Sequence, residues 1–255
     1  MNTSNTWQDG DNLLKPASTA SAPKPSAPAV AKEFEQIREV NLAYISRLPS
    51  FIADEVAVQM RKPKGSDKWK DKDIFESEIS FKGQNATRQN IRINGKRWSS
   101  PSRWLPGPNW GIGFGDDLKP LFDRGCENEI TFEGRKEMAG EQLLAFRFRV
   151  PMDGCLGSGV YGYQYYSGAQ KGQILVNQAG NVIQMERTDV GIPTDLGLGS
   201  TTVLRWGKVK IGDATHLLPI AEDWTFYSAN GDTWHVTVTF QNHRHFEAAT
   251  SIQFQ

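Results

Sequence analysis

The sequence predicts a mainly β fold: a curved antiparallel sheet or incomplete β-barrel, with an N-terminal helix and a short inserted helix covering its concave face. Segments of alternating apolar residues follow one another through most of the 255 residues, and Gly, Asn and Pro separate them. The segments between the strands are short. Short connections favour hairpins, and the two strands of a hairpin pair in antiparallel fashion. A sheet of about ten to twelve strands curls rather than staying flat, so its concave face needs a cover.

The net charge of the chain leads to an expectation about its partners. The chain carries 29 basic and 29 acidic residues, so it has no net field that would recruit nucleic acid or an anionic membrane. No apolar run approaches the roughly 20 residues that span a bilayer as a helix. We therefore predict no nucleic-acid partner and no transmembrane segment.

Residues 1–32 are rich in Ser, Ala, Pro, Asn and Lys, a composition that cannot bury enough apolar surface to offset chain entropy. They predict a disordered tether, and residues 33–255 predict a single half-barrel β domain. The tether lacks the basic segment and apolar stretch of a signal peptide. Either a signal has been removed or lies upstream, or the protein is cytoplasmic.

Residues 31–47 are predicted to form the main helix, because apolar residues recur at roughly helical spacing and Pro49 ends the pattern. Three strands are predicted next, at residues 55–61, 73–82 and 88–94. In the first strand apolar and polar residues alternate: Val56, Val58 and Met60 against Glu55, Gln59 and Arg61.

Residues 98–117 interrupt the strand pattern with a loop that contains three Trp, three Pro and four Gly. Long aromatic-rich loops inside a compact domain are usually functional or cover an opening. A short helix is predicted at residues 116–122, with Asp116 as its N-cap. The loop and this helix supply the candidate ligand-binding residues: Trp98, Trp104, Trp110, Phe114, Leu121 and Phe122. These side chains either line or gate an apolar cavity, or simply plug the concave face.

The strand pattern resumes after the loop and continues to the end of the chain. Strands are predicted at residues 127–133, 142–150, 160–166, 201–211, 216–218, 222–229, 233–241 and 246–254. Residues 173–189 predict a hairpin whose turn contains Gly180 and Asn181, residue types that tolerate positive φ. Asn230-Gly231-Asp232 predicts a type I′ turn. The strand after it is one-sided, with Trp234, Val236, Val238 and Phe240 on one face.

Cys126 and Cys155 are the two cysteines of the chain. They stand just outside the two strands of one predicted hairpin, so antiparallel pairing brings both to its open end. Either they form a disulfide, which implies an oxidising compartment, or they remain two unlinked thiols. Two cysteines supply neither a zinc site nor a CxxC redox motif.

No catalytic or metal-binding pattern is present. The glycine-rich segment 111–115 does not match a phosphate-binding motif and lacks a βαβ context. His243 and His245 share one face of a strand, but no carboxylate or Cys stands at ligand spacing, which favours a solvated strand end over a metal site. Asp116 and Asp117 are interpreted as a helix cap and a dipole partner rather than as acid/base catalysts. We therefore predict a non-enzymatic protein with no metal and no cofactor.

The order of elements resembles that of periplasmic lipoprotein carriers of the LolA/LolB type: an N-terminal amphipathic helix, antiparallel strands, a helical interruption with a Trp-rich loop, then hairpins. Five segments are similar to segments of uncharacterised secreted bacterial proteins: RKPKGSDKWK at 61–70, FRFRVP at 146–151, GQILVN at 172–177, VIQMER at 182–187 and LLP at 217–219. The resemblance covers the chain from about residue 33 to its end. It implies a periplasmic or secreted location and binding of an acyl chain, a lipid or a lipidated protein.

Three functional hypotheses follow. The first is a non-enzymatic cell-envelope protein that carries an apolar ligand on the concave side of its sheet, with Arg97 and Arg103 placed to meet a polar head group. The second is an envelope interaction module with a packed interior and no ligand, which docks another envelope protein. The third, a hydrolase that uses Asp116 or Asp117, has no motif in its favour.

Overall fold

The computed structural model describes residues 27–82, 85–101, 105–108, 110, 118–126, 128–151, 159–161, 164–166, 169–190 and 199–246. These ranges contain two helices and thirteen strands, in the chain order α1 (Ala27–Ser46), β1 (Phe51–Lys62), β2 (Lys70–Lys82), β3 (Asn85–Ile93), β4 (Lys96–Arg97), α2 (Lys119–Phe122), β5 (Glu129–Met138), β6 (Glu141–Val150), β7 (Gly159–Tyr161), β8 (Gln164–Tyr166), β9 (Ala169–Val176), β10 (Val182–Val190), β11 (Gly199–Ile211), β12 (Ala214–Tyr227) and β13 (Thr233–His245).

Eleven of these strands form one antiparallel sheet in the order β4-β3-β2-β1-β13-β12-β11-β10-β9-β6-β5, while β7 and β8 form a separate hairpin. The first long strand pairs with the last, because β1 runs antiparallel to β13. In the described part of the chain the outer strands β4 and β5 do not meet, so the sheet is curved but not closed. The predicted fold class is therefore confirmed.

One face of the sheet carries most of the core. Directly paired residues in antiparallel strands point to the same side, and one row of pairs crosses the sheet through Phe146, Ile174, Met185, Leu204, Glu222, Val238, Ala57 and Phe75. We call this side the covered face. Its apolar side chains form two clusters. The first cluster includes residues of β1, β2, β12 and β13 with Leu105 and Trp110; the second includes residues of β6, β9 and β10 with α1 and α2.

Helix α1 packs on the covered face through one stripe of side chains. Phe34, Ile37, Asn41 and Ile45 are buried at spacings of three and four residues, as expected for an amphipathic helix. The Phe34 ring lies 5.5 Å from the Phe146 ring of β6. The predicted main helix is therefore present and reaches the core of the sheet.

The predicted first residue was wrong for both helices. α1 begins at Ala27, inside the segment predicted as tether, because alanines favour a helix and Pro28 fits its first turn. α2 begins at Lys119, with Leu118 as its N-cap, and Pro120 fits the start of the helix because its missing N–H needs no partner there. The predicted N-cap Asp116 lies outside the described residues.

Two hairpins of the second half use the same kind of turn. The predicted hairpin at residues 173–189 is present as β9 and β10, with Gly180 at φ +83°. Gly231 has φ +90°, but Asn230 does not have positive φ, so the predicted type I′ turn was wrong. The amides of Gly180 and Gly231 both donate to the carbonyl three residues earlier, which is the three-residue loop with a left-handed glycine.

Strand β12 joins two segments that the sequence predicted as separate strands. Trp206 of β11 pairs with Pro219 and Arg205 pairs with Ala221, so Ile220 is the extra residue of a β-bulge. Proline is tolerated at such a position because the bulge interrupts the ladder. Conversely, the strand predicted at 160–166 is divided into β7 and β8, and the strand predicted at 246–254 lies outside the described residues except for its first residue.

Gly172 of β9 marks a close approach of backbone and side chains on the covered face. A Cβ atom at this position would lie 1.9 Å from the carbonyl oxygen of Glu186 and 2.8 Å from Cζ of Phe148. Glycine is therefore required by space rather than by backbone conformation, and the Phe148 ring occupies the position that a side chain would take.

Candidate functional site

The sequence-predicted ligand residues do not form one group among the residues that the structure describes. Trp110 is 3% exposed and belongs to the first cluster, against which Trp98 also packs. Leu121 and Phe122 belong to the second cluster and are 2% and 0% exposed. Trp104 and Phe114 lie outside the described residues. Trp110, Leu121 and Phe122 are thus core residues, Trp98 is partly buried against the core, and the four lie in two separate halves of the covered face.

Trp110 is held by a buried ion pair that the sequence did not reveal. Its Nε1 donates to Oε1 of Glu55 at 2.9 Å, and its ring lies 4.9 Å from the Arg88 guanidinium carbon. Arg88 binds the same carboxylate in a bidentate manner, with Nε to Oε2 at 2.6 Å and Nη2 to Oε1 at 2.7 Å. Ser77 Oγ donates to Oε2 at 2.5 Å. The Glu55 carboxylate therefore accepts four hydrogen bonds, which suits a structural anchor and leaves little capacity for acid/base chemistry.

This anchor goes with a buried face of β1 that includes polar residues. The buried side of β1 carries Phe51, Ala53, Glu55, Ala57 and Gln59, whereas the alternate residues, with Val56, Val58 and Met60 among them, are only partly buried. Gln59 Nε2 donates to the carbonyl of Pro108 at 3.1 Å. The aromatic loop is therefore fixed to the sheet by polar groups of β1, and a prediction based on hydrophobicity alone could not find them.

The second half of the covered face contains two buried donors without a partner. The Tyr44 hydroxyl of α1 and the Trp206 Nε1 of β11 make no hydrogen bond of normal geometry. Burial raises the pKa of Tyr44, and a weak hydrogen bond from the Trp206 indole N–H, outside normal geometry, lowers this pKa by a smaller amount. An unpaired buried donor costs free energy, so native structures seldom keep one without a reason. In the sequence, only the aromatic character of these two positions was visible.

Helix α1 is attached beside these donors by a single polar side chain. Asn41 Nδ2 donates to the carbonyls of Ile37 at 2.7 Å and Gly180 at 2.8 Å, and Asn41 Oδ1 accepts from the Val182 amide at 3.2 Å. At its outer surface, Arg124 pairs with Glu39 at 2.5 Å. These contacts orient α1 over β10 and position Tyr44 above Trp206.

The other candidate residues take structural or surface positions. His243 packs 5.5 Å from the Phe51 ring, and burial lowers its pKa. Among the described residues, no group of three or more His, Cys, Asp or Glu side chains is arranged to hold a metal ion. Arg97 is exposed on β4, and Arg103, Asp116 and Asp117 lie outside the described residues.

Cys126 is disulfide-bonded. Cys155, the other cysteine of the chain, lies outside the described residues. The strands that follow and precede these two residues pair as predicted, with Glu129 opposite Arg149. Pairing of Cys126 with Cys155 is the arrangement that this hairpin favours.

The fold and the site define a class of protein: an open, curved antiparallel sheet with helices and an aromatic loop packed on one face. Comparison with family models and with curated proteins finds no match. Among solved structures, the chain is similar to a domain described as an outer membrane lipoprotein-sorting protein from Vibrio parahaemolyticus, at 11% identity and a TM-score of 0.42, covering 86% of this chain and 93% of that one.

Two further solved structures have a similar arrangement. A DUF1329 family protein from Desulfovibrio piger has 11% identity and a TM-score of 0.42, with 89% of this chain and 96% of that chain covered. A LolA superfamily protein from Nitrosomonas europaea has 10% identity and a TM-score of 0.38, with coverages of 88% and 96%. Proteins of this kind are the ones that the order of elements in the sequence resembles.

No helix within the described ranges is long and apolar enough to cross a membrane.

Proposed function

We propose that this protein is a non-enzymatic, periplasmic or secreted protein of the cell envelope that binds an acyl chain, from a lipid or a lipidated protein, between α1 and the sheet. The observation that carries the proposal is the pair of donors at Tyr44 and Trp206, which are buried beneath α1 without a hydrogen bond of normal geometry and are surrounded mainly by apolar side chains. An ester or carboxylate oxygen at the end of an acyl chain accepts hydrogen bonds from a hydroxyl and from an indole N–H. The surrounding side chains of the second cluster supply the apolar surface for the chain itself.

Helix α1, which covers the second cluster, is suited to displacement by a ligand. α1 is one helix at the N-terminal end of the described chain, and Asn41 supplies its buried polar contacts to the sheet. An acyl chain that enters beneath α1 takes the place of Phe34 and Ile37 against the sheet, so the hydrophobic cost of lifting the helix is largely offset. Leu121 and Phe122, two of the predicted ligand residues, lie in the same cluster and would line the opened space.

The first half of the covered face is assigned a different role. Trp110 is tied to the Glu55–Arg88 pair, and Trp98 packs on the same cluster. We propose that Trp110 plugs the sheet and does not contact the ligand, whereas Trp98, whose Nε1 is likewise buried without a hydrogen-bond partner, keeps its predicted ligand role. A ligand role for Trp104 and Phe114 stays a prediction from the sequence.

The disulfide state of Cys126 supports the envelope location. Disulfides persist in oxidising compartments such as the periplasm or the extracellular space and are rare in the reducing cytoplasm.

The test combines ligand retention with a variant that removes both donors. Protein purified without detergent is analysed by native mass spectrometry, and its affinity for a fluorescent fatty acid is measured by titration. Tyr44→Phe/Trp206→Phe removes both unpaired donors and keeps aromatic rings. We expect its affinity for the fatty acid to fall about tenfold or more, because each lost hydrogen bond to a charged group costs about 1.5–3 kcal/mol. We expect its free energy of unfolding to fall modestly, because Trp206→Phe removes buried ring volume from the second cluster, and circular dichroism checks that the variant is folded.

The control is Tyr227→Phe, which removes an exposed tyrosine hydroxyl elsewhere on the sheet. It should leave both affinity and stability unchanged. Fatty-acid binding that is equally strong in the double variant would exclude Tyr44 and Trp206 as the ligand site.

A packed envelope interaction module is the second candidate, and the burial of the described core favours it. Phe51, Phe75, Phe122 and Phe146 are all less than 2% exposed, so the covered face is filled in the structure. An empty protein that resists loading with fatty acid or lipopeptide would support this module and overturn the carrier proposal.

A further inference from the structure

One end of the sheet concentrates positive charge. Three connections meet there: the β1–β2 loop (63–69), the β3–β4 turn (94–95) and the β12–β13 loop (228–232). The register brings them together, because Lys62 pairs with Thr233, Arg61 pairs with Lys70, and the Asn94 amide donates to the Ile74 carbonyl at 2.8 Å. We call this region the basic end, and define it as residues 61–74, 92–97 and 227–233.

The basic end holds nine basic and four acidic residues, whereas the whole chain is neutral. Seven of these cations are exposed: Lys64, Lys68, Lys70, Lys72, Arg92, Lys96 and Arg97. The acidic residues are largely engaged within the protein. Asp71 pairs with Arg61 at 2.5 Å, and Asp232 accepts from the Lys64 amide at 2.9 Å. The balanced total charge of the chain therefore conceals a strongly cationic surface.

Exposed apolar side chains occur at the same end. In the described part of the chain, four large hydrophobic side chains are exposed, and three of them, Trp69, Ile74 and Tyr227, belong to the basic end. Trp69 is 43% exposed and lies between two lysines of the loop sequence. Its ring contacts His235 at 5.7 Å and lies 5.5 Å from Nζ of Lys62. One side of the indole thus packs against His235 and Lys62, while a large part of the ring faces solvent.

The loop that carries Trp69 is held in a fixed shape. The Ser66 amide donates to the Pro63 carbonyl at 2.9 Å, and Gly65 has φ +74°. Lys64 lies over the β12–β13 loop, where a Cβ atom on Gly231 would come within 2.8 Å of its side chain. Such a preorganised surface loses little conformational entropy when it binds a partner.

We propose that the basic end docks this protein onto the surface of an anionic phospholipid bilayer, with the lysine ammonium groups on lipid phosphates and the Trp69 indole at the level of the head groups. Lysine clusters are attracted to anionic bilayers by about 1 kcal/mol per residue, and Trp and Tyr concentrate at the membrane–water interface. Trp69, Ile74 and Tyr227 favour a bilayer over nucleic acid or an acidic protein, because those partners would match the charge but offer no apolar layer. The inference holds whether or not an acyl chain binds beneath α1.

The test is co-sedimentation of the full chain with large unilamellar vesicles of phosphatidylcholine, with and without phosphatidylglycerol, at low and high salt. Wild-type protein should bind only the anionic vesicles, and high salt should weaken this binding because exposed charges are screened. Lys68→Gln/Lys70→Gln should weaken binding roughly 25-fold, since each lysine contributes about fivefold. The matched control is Lys208→Gln/Lys210→Gln, which removes two exposed lysines at the opposite end of β11 and should bind like wild type.

Trp69→Ala distinguishes binding to a lipid bilayer from binding to any polyanion. It should weaken vesicle binding and leave the binding of polyglutamate and of duplex DNA unchanged. Circular dichroism confirms that each variant is folded. The proposal is wrong if wild-type protein stays in the supernatant with anionic vesicles, if both lysine pairs lower binding equally, or if Trp69→Ala has no effect while polyglutamate competes fully.

Discussion

Glu55→Gln tests whether a buried ion pair holds the first half of the covered face. The Glu55 carboxylate is 1% exposed and accepts hydrogen bonds from Arg88, Ser77 and Trp110. The amide keeps the shape of the carboxylate but removes its charge and turns an NH₂ group towards these donors. Removing one partner of a buried pair costs about 3–5 kcal/mol, because the remaining charge stays buried without compensation. This is a large part of the roughly 5–15 kcal/mol that stabilises a typical domain.

The assay is urea unfolding at neutral pH, followed by circular dichroism. The matched control is Glu133→Gln, whose partner Arg147 has a side chain that is 72% exposed, and its expected cost is below about 1 kcal/mol. Glu55→Gln/Arg88→Met removes both charges and should recover part of the stability lost in the single variant. Equal losses of unfolding free energy in Glu55→Gln and Glu133→Gln would refute the reasoning. So would a double variant whose loss of unfolding free energy equals the sum of the losses in Glu55→Gln and Arg88→Met.

Three other outcomes are expected. If Cys126 pairs with Cys155, the intact mass rises by two hydrogens on reduction, and an unchanged mass would exclude the bond. Cys126→Ser should then lower the free energy of unfolding by about 3–4 kcal/mol, because the unfolded chain regains the entropy lost by closing a loop of this length. Gly172→Ala should lower the free energy of unfolding by about 3 kcal/mol or more, because its methyl group would clash with the backbone of β10. Gly125→Ala, whose Cβ would lie 3.5 Å from the nearest atom, should lower it by less than about 1 kcal/mol in the same thermal unfolding assay. The lowered pKa of His243 means that the unfolded chain binds more protons, so stability falls as the pH drops below about 6.5, and His243→Phe should flatten this part of the profile measured from about pH 5 to 8.

The sequence was sufficient to predict the fold class because the strands are one-sided. In β13, Val236, Val238 and Phe240 are buried as their alternation indicates, and Trp234 packs against the first cluster. The pairing of β1 with β13 has no comparable local signal, because it joins residues that are 171 (Lys62 and Thr233) to 194 (Phe51 and His245) positions apart in the chain. Helix N-termini were also missed, since capping and Pro placement shift a boundary by several residues at little cost.

The contacts around the candidate site could not be predicted from the sequence, for a physical reason that Glu55 illustrates. A carboxylate in a strand is expected to face solvent, and only the combined presence of Arg88, Ser77 and Trp110 stabilises it inside. These partners come from three separate segments of the chain. Likewise, nothing in the sequence places Tyr44 beside Trp206, because their proximity depends on how α1 lies on the sheet.

The two halves of the covered face differ in what must be broken to open them. Displacing the aromatic loop would separate Trp110 from a carboxylate that also holds Arg88, and hydrogen bonds to charged groups are worth about 1.5–3 kcal/mol each. Lifting α1 breaks the neutral hydrogen bonds of Asn41 to the sheet, worth about 0.5–1.5 kcal/mol each, and the exposed ion pairs of Arg124 with Glu35 and Glu39, worth less than about 1 kcal/mol each. It also uncovers donors at Tyr44 and Trp206 that gain partners from water or from a ligand. An acyl chain can cover the apolar surface that the helix leaves but cannot replace the charge on Glu55. Opening therefore costs less on the α1 side, and a ligand that enters the sheet should enter there.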